Sequence, residues 1–146
     1  MMAPVNTEIL KLFGFWSSIL VIKMMLMILL TAYQRFTKKI FANPEDASLM
    51  PKAKVSLEDP DVERVRRAHL NDLENIVPWF IITYVWLMTG PSVWLAGVLI
   101  RTFAITRIIH TLVYAVFPQQ PARFLCFAVG YVVITYEALV SLLYYL

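Results

Sequence analysis

Cationic and polar side chains recur at helical spacing along the stretch VERVRRAHLNDLENIVPWF, residues 62–80. At about 100° per residue, four of them fall within about 80° of one another and share one helix face. These four are Arg64, Arg67, Asn71 and Glu74. Ionisable groups that run into apolar sequence are costly and normally face a bundle interior or a cavity. The face therefore indicates a cationic pocket, which suits a small polyanion that must meet an apolar partner.

Two further stretches carry the same kinds of side chain. Arg107, His110 and Tyr114 follow one another at helical spacing near the end of a later apolar run, and Arg123 begins the next. Basic residues beside apolar runs are usually interfacial anchors. That interpretation is kept for Lys38 and Lys39. Anchoring needs no asparagine, glutamate, histidine and tyrosine on the same faces, so a cavity is favoured for the other positions.

The composition places this chain in a membrane. It is 60% hydrophobic and 16% charged, whereas a soluble domain averages about 45–50% apolar and about 25% charged residues. Several apolar runs approach the roughly 20 residues that a spanning helix needs. The net charge of +3 is small, and the basic residues cluster beside apolar runs instead of forming one extended basic surface, which argues against a nucleic-acid partner. The first apolar run is too long for a signal peptide and is predicted to be a retained span.

Four membrane-spanning helices are predicted, as a bundle in one all-α membrane domain that covers residues 1–146. Their predicted ranges are about 9–33, 62–88, 92–117 and 121–145. Asp59 and Pro60 are typical of a helix start, and Gly90-Pro91 is typical of a helix end. Lysine and arginine concentrate in the loop at about 34–60, so the positive-inside rule predicts that this loop is cytosolic and that both termini are lumenal.

Two buried ion pairs are also predicted from depth. Lys23 and Glu74 both lie roughly 20 Å from the loop ends of their helices and could pair. Arg101 and Glu137 lie at similar distances from the lumenal side of the membrane and are predicted to form the second pair. Such residues could instead serve a proton relay or a transport path. The single cysteine, Cys126, permits no intramolecular disulfide and is expected to be a small buried hydrophobe. No zinc-ligand spacing, phosphate loop or nucleophile elbow is present, so no metal site is predicted.

Several motifs resemble those of the MAPEG family, the membrane-associated proteins of eicosanoid and glutathione metabolism, and above all its glutathione transferases. The motifs are KMMLM (23–27), FANPED (41–46), VERVRRAHLNDLEN (62–75), R-x-x-H-T-x-x-Y (107–114), QPAR (120–123) and FAVGY (127–131). They appear in the family's order and cover most of the chain. The resemblance implies a four-helix subunit of a homotrimer in the endoplasmic reticulum, with the mitochondrial outer membrane as a further location.

The resemblance also implies a glutathione site near the cytosolic face, between neighbouring subunits. By family likeness, contacts to glutathione are carried to Arg66, Arg67, His69, Asn71, Glu74 and Tyr114, with His110 and Arg35 as further candidates. Arg35 would reach a neighbour's site. Guanidinium forks suit the two carboxylates of glutathione, and a carboxylate such as Glu74 suits its ammonium. Arg123 matches the family's thiolate-stabilising arginine, which lowers the pKa of the thiol.

The implied activity is conjugation of glutathione with hydrophobic electrophiles, together with reduction of lipid hydroperoxides. The alternatives are a prostaglandin E synthase-type isomerase, a non-catalytic lipid-binding scaffold of the same family, and a small transporter. Ala47 stands where the family's transferases have a reactive cysteine after FANPED. Phe124, Phe127 and Leu70 stand where the prostaglandin synthases have a serine, a tyrosine and an arginine. These departures make the isomerase role less favoured than conjugation.

Overall fold

The computed structural model describes residues 6–146, which are mostly helical. The elements in chain order are α1 (Thr7–Lys38), β1 (Ile40–Phe41), α2 (Pro44–Ser48), β2 (Lys54–Val55), α3 (Pro60–Leu87), α4 (Val93–Thr111), a π-helical segment (Leu112–Val116) and α5 (Gln120–Tyr145). Each of the four predicted helices corresponds to one long helix. The short parallel sheet that pairs β1 with β2 inside the loop was not predicted.

Three of the long helices are long and apolar enough to cross a membrane. They are α1, α4 with its π-helical continuation to Val116, and α5. Helix α3 is not one of them, because its first half carries the charged stretch that begins at Asp61.

The helix starts follow local rules of capping. The side chain of Asp59 accepts hydrogen bonds from the backbone N–H groups of Asp61 and Val62, at 3.1 and 3.0 Å, and Pro60 opens α3 as predicted. Asn6 caps α1 and Ser92 caps α4 in the same way. A cap satisfies backbone donors that have no partner in the first turn.

The four long helices form a ring in which α1 and α5 each pack against both α3 and α4. The centre is apolar: the ring of Trp79 stacks on that of Phe103 with centroids 4.6 Å apart, and both side chains are fully buried. Because successive helices run in opposite directions, one end of the ring carries the loop of residues 39–59 and the starts of α3 and α5. This end is called the loop end below, and the other is called the far end.

Candidate functional site

Three charged side chains form a buried ionic cluster between α1, α3 and α4. The carboxylate of Asp72 is fully buried; one oxygen pairs with the Lys23 ammonium and the other accepts from Arg107 Nη2 at 2.9 Å. The predicted Lys23–Glu74 pair is therefore wrong. Glu74 has the right depth, but it lies about 200° around the helix from Asp72 and is exposed on the outside of α3.

The same guanidinium reaches the polar side chains at the loop end. Arg107 Nη2 donates to Asn71 Oδ1 at 2.7 Å and lies 3.4 Å from His110 Nδ1. Arg107 is fully buried, so Asn71 and the imidazole are fixed from inside the bundle. Hydrogen bonds to a charged group in a low-dielectric interior are stronger than neutral ones. The ionic cluster therefore positions two predicted site residues.

Aromatic and cationic groups continue this line toward the surface. The imidazole of His110 stacks on the Tyr114 ring, with the ring centroids 5.5 Å apart. The guanidinium carbon of Arg123 lies 4.5 Å from the centroid of the same Tyr114 ring. Tyr114 belongs to the π-helical segment, in which Phe117 N–H donates to Leu112 O at 2.7 Å. Such segments are rare and often occur at functional sites. Nothing in the sequence pattern predicted this one.

A cavity of about 260 Å³ opens beside these side chains. Its lining consists of Asn71, His110, Tyr114, Gln120, Arg123, Phe124 and Phe127. Its inner wall is polar and cationic, and the two phenylalanines make the remaining wall apolar. We call it the arginine cavity. It can hold an anionic or polar group beside an apolar molecule. Gln120 was missed as a lining residue, although it lies in the QPAR motif.

The remaining predicted residues lie elsewhere on the chain. Arg35, Arg66 and His69 line a separate groove of about 420 Å³ between α1 and α3, together with apolar residues such as Leu70 and Leu73. Arg35 Nη1 is buried there without a hydrogen-bond partner among residues 6–146. Arg66 Nη1 donates to Glu63 Oε1 at 2.7 Å. We call this surface the outer groove.

The predicted polar face of α3 is not a single wall of one cavity. Arg67 and Glu74 are exposed on the outside of α3, and Arg64 pairs with Asp61 at 3.0 Å. Of the four residues of that predicted face, only Asn71 reaches the arginine cavity. The inner side of α3 is filled instead by side chains such as Val65, Ala68 and Asp72. Within one chain, the arginine cavity and the outer groove flank α3 on opposite sides, with the exposed face between them.

A second ionic contact ties α1 to the start of α3 at the loop end. Lys38, predicted as an interfacial anchor, instead donates to Asp59 Oδ1 at 3.1 Å and also pairs with Asp61. The hydrogen bond from the Val62 N–H lowers the pKa of Asp59 from its ordinary value, and the hydrogen bond from the Lys38 ammonium lowers it further. The hydrogen bond from Lys38 lowers the pKa of Asp61 likewise. Both carboxylates are therefore favoured in their ionised forms.

The predicted Arg101–Glu137 pair is also wrong. Glu137 is fully buried and its Oε2 accepts from Thr83 Oγ1 of α3 at 2.6 Å. Arg101 is exposed on α4 and its Nη1 donates to the carbonyl oxygen of Gly97 at 3.1 Å. The two residues share a depth but point to different sides of the bundle. Cys126 is partly buried on α5.

The motifs and the membrane helices agree with comparison to known proteins. The model of the MAPEG family matches residues 13–143. The chain belongs to the MAPEG family. It is similar to microsomal glutathione S-transferase 1 of Mus musculus, at 44% identity over 95% of this chain and 94% of that protein. The Homo sapiens protein of the same name is 44% identical over the same shares.

A second group of MAPEG relatives has a different name. Prostaglandin E synthase of Bos taurus is 37% identical over 86% of this chain and 82% of that protein. The resemblance seen in the motifs is thus confirmed. Membership of this membrane family and three helices able to span a bilayer identify an integral membrane protein.

Proposed function

We propose that this MAPEG protein is a membrane-bound glutathione transferase. It joins the thiolate of glutathione to hydrophobic electrophiles and reduces lipid hydroperoxides with the same thiolate. The observation that carries the proposal is the position of Arg123, whose guanidinium lines a cavity that Phe124 and Phe127 make apolar on one side. A cation at such a boundary can hold an anion against an apolar reactant. The names of the relatives at 44% identity support the same activity.

The chemistry at Arg123 follows from charge. A free thiol is mostly protonated at neutral pH, and the thiolate is the nucleophile. A guanidinium beside the sulfur favours the charged form. In conjugation the thiolate attacks an activated carbon, forms a carbon–sulfur bond and expels a leaving group such as halide. In the peroxidase reaction the hydroperoxide becomes an alcohol and water, while two glutathione molecules are oxidised to the disulfide.

The complete glutathione site is a composite of two copies of the chain. One copy supplies the arginine cavity with Asn71, His110, Tyr114 and Arg123, and its neighbour supplies the outer groove. Two observations support this arrangement: the two surfaces lie on opposite sides of α3, and Arg35 has an unpartnered nitrogen in the groove. Glutathione has two carboxylates and one ammonium, so it can engage guanidinium groups from both copies.

The assembly we propose is a homotrimer in which the outer face of α3 is covered by a neighbour. Arg67 and Glu74 are exposed there beside Leu70, Val77 and Ile81. Charged side chains among apolar ones are costly against lipid but are satisfied against another protein surface. Covered in this way, α3 serves as the fourth membrane span in spite of its charged first half.

We place the loop end in the cytosol, because lysine and arginine concentrate in the loop between α1 and α3. Glutathione would then enter from the cytosol and electrophiles from the bilayer. The membrane we propose is that of the endoplasmic reticulum, with the mitochondrial outer membrane as a further location.

A prostaglandin E synthase-type isomerase is the second candidate, and relatives at 37% identity favour it. The lining of the arginine cavity weighs against it. Phe124 and Phe127 take the positions where the resemblance to those synthases implies a serine and a tyrosine. Neither phenylalanine can donate a hydrogen bond to an endoperoxide.

Conjugation of glutathione to 1-chloro-2,4-dinitrobenzene by the purified protein tests the proposal. We expect Arg123→Ala to lose most of the rate at saturating glutathione, and Arg123→Lys to retain part of it. Lys54→Gln, which removes an exposed cation from the loop, serves as the matched control and should match the wild type. Equal rates for the wild type and Arg123→Ala would disprove the role of Arg123. Glutathione binding without conjugation, together with isomerisation of an endoperoxide, would favour the second candidate.

A further inference from the structure

A cavity of about 610 Å³ lies between α1 and α4 at the far end, away from the arginine cavity and the outer groove. Apolar side chains such as Leu12 and Val98 form part of its wall, and Trp94 lines it from the first turn of α4. Tryptophan is enriched where membrane helices meet the water interface. The cavity therefore lies at the boundary between the lipid and the water on the far side of the membrane.

The charged residue of interest in this cavity is Arg101. It lies roughly 12 Å along α4 from Val93, inside an apolar membrane helix. A guanidinium at such a depth is costly unless it finds a partner. Its one hydrogen bond in the described chain goes to the carbonyl oxygen of Gly97, at 3.1 Å, and this turns the side chain toward the far end. No carboxylate of residues 6–146 pairs with it.

Gly97 makes this position of the guanidinium possible. A Cβ atom at residue 97 would lie 2.9 Å from Arg101 Nη1, which is closer than such atoms approach, and 3.7 Å from Leu12 Cδ2. The missing side chain thus leaves the space in which the guanidinium rests. A methyl group at residue 97 would make the guanidinium shift, which the end of a flexible side chain can do at little cost.

The cavity has an excess of one positive charge. Its charged lining residues are Arg101, Lys11 and Glu8, and the last two form an exposed pair with each other at 3.3 Å. That pair neutralises itself and leaves the charge of Arg101 uncompensated. A ligand that matches this cavity has an apolar body and one net negative charge.

We propose that this cavity binds an acidic phospholipid of the far leaflet, with its phosphate group on Arg101. A guanidinium presents several N–H donors in a fork that fits phosphate oxygens, and only one of them is used by Gly97. The acyl chains would run along the exposed apolar surface beside Val98. A zwitterionic phospholipid has no net charge and would leave the excess positive charge uncompensated, so an acidic head group is preferred.

Native mass spectrometry of the purified full-length protein in detergent, titrated with dioctanoyl phosphatidylglycerol, tests this site. We expect Arg101→Gln to weaken binding by roughly tenfold to a hundredfold, the range for loss of hydrogen bonds to a charged group. Lys54→Gln removes one positive charge at the loop end and should leave the affinity unchanged. Arg101→Lys keeps the charge but loses the planar fork of donors, so it should bind more weakly than the wild type and less weakly than Arg101→Gln.

Two ligand comparisons complete the test. Dioctanoyl phosphatidylcholine should bind more weakly than dioctanoyl phosphatidylglycerol. Glycerol 3-phosphate should not compete with dioctanoyl phosphatidylglycerol. The proposal is overturned if Arg101→Gln binds like the wild type, if Lys54→Gln loses as much affinity as Arg101→Gln, or if phosphatidylcholine binds equally well. Competition by glycerol 3-phosphate would show a site for free phosphates in place of a lipid site. If Arg101→Gln lost its helical circular dichroism signal, Arg101→Lys would decide the question: weaker binding than the wild type supports the guanidinium–phosphate contact, and unchanged binding overturns it.

Discussion

The ionic cluster of Lys23, Asp72 and Arg107 makes a sharp prediction about stability. One carboxylate lies between two cations, and Asp72 and Arg107 are both fully buried. Asp72→Asn keeps the shape of the side chain but leaves two buried cations without a negative partner. Removing one member of a buried ion pair costs about 3–5 kcal/mol. We therefore expect Asp72→Asn to be among the most destabilising single changes in the chain.

The cluster also predicts an asymmetry between its members. Lys23→Met removes the excess positive charge and leaves the Asp72–Arg107 pair intact, with its 2.9 Å hydrogen bond. Removing one member of a buried ion pair is costly because it leaves the other charge unpaired, but here Asp72 keeps Arg107 as its partner. Lys23→Met should therefore destabilise the fold much less than Asp72→Asn does. Added to Asp72→Asn, it should recover part of the lost stability, because only one unpaired cation remains.

Thermal unfolding in detergent, followed by circular dichroism, measures these effects. Glu8→Gln breaks the exposed pair with Lys11 and serves as the control, for which we expect a change below about 1 kcal/mol. The reasoning fails if Asp72→Asn unfolds at the same temperature as the wild type. It also fails if Lys23→Met destabilises as much as Asp72→Asn, because the excess-charge argument would then be wrong.

Two other predictions concern the loop end. Because the pKa values of Asp59 and Asp61 are held below the ordinary 3.8, their contacts with Lys38 should stabilise the fold above that pH and be lost as the pH falls through the lowered values. The difference in unfolding temperature between the wild type and Lys38→Met should thus be largest at neutral pH and should shrink as the pH falls below 3.8. A difference that stays constant with pH would contradict this. Asn71→Leu removes the side-chain oxygen that accepts the 2.7 Å hydrogen bond from Arg107. We expect this change to weaken glutathione binding by about tenfold, as measured by calorimetry. Unchanged affinity would exclude a role for Asn71.

Helical spacing predicted part of the candidate site, and packing between helices decided the rest. Helical spacing correctly grouped His110 with Tyr114, and chain order correctly brought Arg123 to the same end of the bundle. The spacing on α3 also identified a real face, but it did not show that this face points away from the rest of its own chain. The contacts of Arg67 and Glu74 with glutathione remain predictions, since both residues are exposed in the single chain.

The amino-acid sequence by itself determined the helices, their ends and the depth of each charge. Capping at Asp59 and the break at Gly90-Pro91 are local effects, and depth follows from the fixed rise per residue. Only the tertiary structure decided which charges meet. Lys23 has two carboxylates at nearly the same depth, and the rotation of α3 about its axis presents Asp72 to it and turns Glu74 outward. That rotation is set by packing of the whole apolar face, so helical spacing within one helix cannot specify it.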